Sequence, residues 1–239
     1  MSRARIITRA SGLHYISSEM LYKESVEPRT LSLILRLLQD ETFRDFYLAG
    51  GTALSLQIGH RLSTDLDLLS KSNFDVAKLS DYLSNTYHAE SIKVLSHPFP
   101  LIKPLITLEG LRMASPEDLG AITLYSIIED GSRFINFIDL YSLLEHLSLE
   151  ELTDAYETKY PKVNRSAAHK ALMHQKDIIP VPVNFTGHTI TLKDIAYRLR
   201  KAVQEPKRIF ESGPTEWQTS AAAKAANTAK TSKRSQRTK

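Results

Sequence analysis

The chain of 239 residues contains no cysteine. That absence excludes disulfides, thiolate metal sites and cysteine nucleophiles, and it is compatible with a reducing compartment. Long apolar runs are also missing: none approaches the roughly 20 residues a membrane helix needs. The opening MSRARIITRA has no apolar signal core. HExxH, the Walker ending GK[ST] and GxGxxG do not occur, and the eight histidines offer no ligand spacing, since His169 and His174 would face different sides of a helix. No internal repeat is apparent. With 42% hydrophobic residues the chain can bury a real core, so the expectation is a cytoplasmic protein with no membrane segment, built as one substantial domain or two small ones.

The net charge of +4 sits at the ends. Residues 1–19 carry +2 and residues 211–239 carry +4, leaving the middle at −2. The ending AAAKAANTAKTSKRSQRTK is small, polar and basic without apolar periodicity, which predicts a disordered tail over 211–239. Such a tail either solubilises the chain or touches phosphate backbones without reading sequence. Residues 1–19 are expected as a poorly ordered extension, because the organised pattern begins at Met20.

From there Leu31, Ile34, Leu35 and Leu38 recur at helical spacing behind Pro28. The run FYLA ends in Gly50-Gly51, which predicts a buried strand feeding a tight turn, followed by a short helix in TALSLQIG. In DLDLLS the alternation predicts a strand with Leu66 and Leu68 on one face and Asp65 and Asp67 on the other. SNFDVAKLSDYLSNTY reads as a helix and IKVL as a strand. Beyond residue 115 the chain becomes helical: Ser115-Pro116-Glu117-Asp118 opens one helix, and SLEE at 148–151 is a capping box that opens another. NRSAAHKALMHQK and TLKDIAYRLRKAV supply two more, while Tyr125 and Tyr141 fall on helical stripes expected to pack in the core. An α+β fold follows, with a core over 20–110 and a helical part over 111–210.

The chemistry concentrates in LAGGTALSLQIGHRLSTDLDLLS, residues 48–70. Carboxylates two apart on a strand lie roughly 6 to 7 Å from each other. At an effective dielectric near 20 they repel by about 2 to 3 kcal/mol. A divalent cation reverses that cost, and Mg²⁺ is commonly held by one or two carboxylates plus substrate phosphates. The Gly-Gly turn exposes backbone N–H groups at a helix start, where a phosphate is favoured, and Arg61 would add a bidentate phosphate contact. His60, beside it, is expected as a surface or packed histidine. The plainer alternative for the whole stretch is a common turn beside a solvated strand edge. Spacing alone does not decide between them.

Strand, Gly-Gly, short helix and DLD on the next strand resemble the polymerase-β-like nucleotidyltransferase fold, and in particular the AbiEii/AbiGii toxin branch. The likeness continues through HPFPLIKPL, LRMASPEDLGAITLYSI and RFINFIDLYSLLEHLSLEEL, spanning roughly residues 20–160. The resemblance implies Mg²⁺-dependent transfer of a nucleoside monophosphate from an NTP to an acceptor such as RNA, notably tRNA ends, by the toxin of a toxin–antitoxin or abortive-infection (phage-defence) pair. It assigns Gly50, Gly51 and Thr52 to the triphosphate turn and Asp65 and Asp67 to the metal. Arg133 and Asp139 match further site positions.

Three departures accompany it. The strand expected to carry a third carboxylate is not apparent, and Glu90 is the only acid near that point. Thr123 stands where the resemblance has a lysine, and Asn136 where it has an aspartate. The last is expected to be a helix N-cap, with Asp139 in the first turn. Two function classes therefore remain: a transferase, or a degenerate module that binds nucleotide or antitoxin.

Overall fold

The computed structural model describes residues 20–88 and 92–213. The expected features of 1–19, most of the basic tail and Glu90 lie outside the described residues.

Helix α1 (Pro28–Gln39) starts with its proline and buries Ile34, Leu37 and Leu38. The chain then enters β1 (Phe46–Ala49), whose four residues are all buried, as expected of a central strand. Five strands form one sheet in the order β3-β2-β1-β5-β4. β2 (Leu66–Ser70) runs antiparallel to β1, with Leu48 opposite Leu68 and Ala49 opposite Asp67. β3 (Ile92–Ser96) lies parallel to β2 as an edge strand, pairing Lys93 with Asp67. On the other side β5 (Leu111–Met113) is parallel to β1.

The hairpin that joins β4 (Ile106–Leu108) to β5 is absent from the sequence reading. Its two-residue turn is Glu109-Gly110, with φ of 50° and 82°. Both values are positive, as the favoured hairpin turns demand, but glutamate at the first turn position does not advertise them. The sheet therefore continues past residue 110 into the helical part. Arg112 of β5 fastens it by donating to the carbonyls of Leu38, Phe43 and Phe46.

Helices α2 (Gly50–Ile58) and α3 (Val76–Tyr87) complete the first half. The second half packs α4 (Pro116–Glu129), α5 (Phe134–Leu143), α6 (Leu149–Lys159), α7 (Arg165–Met173) and α8 (Leu192–Gln204). Ser115 caps α4, and Ser148 and Glu151 form the expected capping box of α6. Gly120 lets α4 and α6 approach: a Cβ there would stand 2.2 Å from Leu152 Cδ2.

Within the second half a buried ion pair ties α6 to α4, Lys159 Nζ to Asp118 Oδ1 at 2.8 Å, both side chains fully enclosed. Lys159 also donates to the Pro100 carbonyl, while Asp118 accepts from the backbone N–H groups of Ile102 and Lys103. The proline-rich HPFPLIKPL segment is thereby anchored without regular structure. Tyr141 is buried as expected, but Tyr125 is 37% exposed and stacks on Tyr160 at 4.5 Å. It sits at the edge of the α4 stripe, where its ring covers Tyr160 instead of entering the core.

Candidate active site

The glycine turn is where β1 becomes α2. Gly50 has φ of +64°, and a Cβ on it would lie 2.3 Å from Asp67 Oδ2. Both facts require glycine: one by backbone conformation, the other because a carboxylate from the neighbouring strand occupies the space. Register explains the contact, since Asp67 pairs with Ala49, the residue before the turn. At Gly51 a Cβ would lie 2.0 Å from Arg61 Nη2 and 3.2 Å from Asp139 Oδ2. Each glycine thus makes room for a different charged group.

Two layers result. The outer one holds Asp65, 67% exposed, and Asp67, 24% exposed. Their carboxylates share Lys93, whose Nζ is 4.0 Å from Asp65 Oδ2 and 3.8 Å from Asp67 Oδ1. The inner one holds His60, Arg61 and Asp139. Arg61 binds Asp139 through Nε to Oδ1 at 2.7 Å and Nη2 to Oδ2 at 2.9 Å, and His60 Nε2 reaches Oδ1 at 2.8 Å. Arg61, expected to contact phosphate, and Asp139, matched by the resemblance to a further site position, are therefore partners of each other.

Electrostatics differ between the layers. Burial pushes the Asp67 carboxyl up, as does Asp65, and Lys93 and Arg133 only partly offset this, so its pKa is raised. Burial also acts to raise Asp139, but the Arg61 guanidinium and the hydrogen bonds from His60 and Arg61 outweigh it and hold that carboxyl at about 2. Arg61 suffers the same burial and is kept charged by Asp139, with its pKa raised.

The remaining expected residues take these places. Thr52 is buried, its hydroxyl bridging Ser63 Oγ at 2.9 Å and the Asp65 carbonyl, so it fixes the link that carries the aspartates. Arg133 is exposed at the start of α5, on the side felt by Asp67. It is Arg133 that occupies the N-cap position; Asn136 is the third residue of α5 and its Nδ2 is buried without a hydrogen-bond partner. The expected N-cap role of Asn136 is corrected accordingly: the helix already begins at Phe134, because Phe134 and Phe137 both turn into the core. Asp139 likewise lies in the body of α5, beyond its first turn. Thr123 is half-buried on α4. Sequence reasoning misses Lys93 as a member of the site, its only signal being its place in the alternation of IKVL, whereas His60 is the packed histidine it allowed for, seated on Asp139.

The donor set suits a magnesium ion with two protein ligands, the rest of its shell being left to phosphate and water. Asp67 in particular is a half-buried carboxylate whose ionised form the protein itself opposes, which is the condition a cation relieves. Among the described residues no group of three His, Cys, Asp or Glu converges to hold a metal.

A mixed sheet whose second strand carries a carboxylate against the glycine turn ending the first has the arrangement of polymerase-β-like nucleotidyltransferases, and this core belongs to that fold class. Residues 32–104 match the family model described as "Nucleotidyl transferase AbiEii toxin, Type IV TA system". Over that segment the chain is similar to the AbiEii nucleotidyltransferase toxins of type IV toxin–antitoxin systems. The chain is also similar to an uncharacterized protein of Aquifex aeolicus (strain VF5), 28% identical over 155 residues that cover 56% of this chain and 75% of that protein. No solved structure matches. Among the described residues no helix is long and apolar enough to cross a membrane.

Proposed function

We propose that the chain is a Mg²⁺-dependent nucleotidyltransferase that moves a nucleoside monophosphate from an NTP to an RNA acceptor of tRNA type, as a toxin restrained by a cognate antitoxin. The observation that carries this reading is the seating of Asp67 against Gly50. A carboxylate pressed to a helix-opening glycine turn puts a cation ligand beside backbone N–H groups that favour phosphate. Asp65 and Asp67 hold the metal; Gly50 and Gly51 face the triphosphate. Thr52 fixes the aspartate link, while Arg61 and Asp139 form the rigid floor under Gly51. Arg133, exposed at the start of α5, meets phosphate. When bound, Mg²⁺ supplies charge neutralisation on the phosphates. The acceptor hydroxyl attacks the α-phosphorus, the bond to the bridging oxygen of the β-phosphate breaks, pyrophosphate leaves and the hydroxyl proton passes to solvent. The protein contributes positioning more than proton transfer.

A second reading, a nucleotide- or antitoxin-binding module without turnover, is favoured by one observation: Lys93, a cation, stands in register with Asp67 on the strand flanking the acids. Incubation with each α-labelled NTP, Mg²⁺ and total RNA separates the two. Label on RNA supports transfer; Mg²⁺-dependent NTP binding with no label on any RNA supports the module.

A further inference from the structure

Lys93 has no task in that scheme. It is nevertheless a positive charge shared by both aspartates, 3.8 Å from one and 4.0 Å from the other. In-register residues on adjacent strands project from the same face, so this proximity is built by the pairing of β2 and β3 rather than by the reach of a long side chain. An edge-strand lysine often serves only to discourage sheet-to-sheet association. That role is satisfied by an ammonium turned to solvent, whereas this one straddles two carboxylates.

We propose that Lys93 is a built-in counter-ion that selects metal–nucleotide over free metal: it competes with a bare divalent cation for Asp65 and Asp67, and pairs with the triphosphate when the cation arrives already bound to one. This rests on the reading that the two aspartates are metal ligands. With two carboxylates and one ammonium, the site without ligand carries one net negative charge instead of two. A bare Mg²⁺ placed there meets a like charge within a few ångströms, while a Mg²⁺–triphosphate, which is net negative, meets an opposite one. The Lys93 side chain is 56% exposed on a flexible four-carbon stem, so the ammonium can leave the carboxylates for a phosphate oxygen without disturbing the sheet. Arg133 acts on Asp67 as a second, exposed cation. A third carboxylate on β3 would do the opposite, strengthening free-metal binding and repelling phosphate.

The test uses the full chain and its K93M, K93R and D65N/D67N variants, each first shown to melt cooperatively. Thermal shift and calorimetry are run at constant ionic strength with Mg²⁺ alone and with Mg²⁺ plus inorganic triphosphate, a probe indifferent to the base. K93M should bind Mg²⁺ alone roughly two- to fivefold more tightly and Mg²⁺–triphosphate roughly two- to fivefold more weakly, the range for one half-exposed charge. K93R should follow the parent, and D65N/D67N should respond to neither ligand. If K93M moves both affinities in one direction, or neither, the Lys93 inference fails while the metal site stands. If parent and K93M alike ignore Mg²⁺ with and without triphosphate, the metal site itself fails and the inference falls with it.

Discussion

Asp139 accepts both ends of the Arg61 guanidinium fork, at 2.7 and 2.9 Å, beneath a glycine that leaves no room for a methyl group. The pair joins α5 to the loop that delivers Asp65 and Asp67, so the second half of the chain sets the floor of a site whose ligands come from the first. Removing one partner strands a buried charge, which typically costs about 3 to 5 kcal/mol. Asp139→Asn and Arg61→Met are each expected to lose stability on that scale in urea unfolding, and the double replacement by apolar residues is expected to recover part of it. Equal, small losses in both single variants would contradict this role for the pair.

The same pair dictates an acid limit. Asp139 is depressed to about 2 in the folded protein. A depressed carboxyl contributes stability that is present above its unfolded value, near 4, and is lost as pH falls through its folded value. Melting temperature should therefore fall between pH 4 and 2 more steeply in the parent than in Asp139→Asn. Parallel curves over that window would remove Asp139 as the cause.

Asp67 works with the opposite sign. Its pKa is raised, so its ionised form costs stability above that pKa and the cost vanishes as pH falls below the unfolded value. Without metal near pH 7, Asp67→Asn should melt higher than the parent. With Mg²⁺ and triphosphate the order should reverse, because only the parent gains from binding. A lower melting temperature for Asp67→Asn than for the parent in EDTA would show that the carboxylate is not under strain.

The glycines give a further check. Gly50→Ala must hold φ of +64° and displace the Asp67 carboxylate, whereas Gly51→Ala must push back the Arg61 guanidinium. Each is expected to destabilise by about 1 to 3 kcal/mol. Only Gly50→Ala should also weaken Mg²⁺ binding directly, through its contact with a proposed ligand. Calorimetry on both variants reads the difference.

How much of this is legible in the sequence follows from where each signal lives. The FYLA strand, the Gly-Gly turn, the DLD strand and the capped helices announce themselves by local chemistry, and they stand as expected except that β2 starts at Leu66 and leaves Asp65 just ahead of it. What escapes depends on pairing at long range. The β4–β5 hairpin hides because Glu109 occupies a left-handed turn position usually given to asparagine or glycine. Lys93 becomes part of the site only through strand register, and the Arg61–Asp139 partnership spans 78 positions, a distance at which spacing says nothing. Residue types point to the right groups, but which group faces which is set by the fold.

Transfer itself is the decisive experiment: α-labelled NTP, Mg²⁺ and total RNA, with the parent chain beside Asp65→Ala/Asp67→Ala. Label is expected on small RNA with release of pyrophosphate, abolished by EDTA and reduced at least about a hundredfold in the double variant. Label that persists in the double variant would contradict the claim that these two carboxylates carry the chemistry.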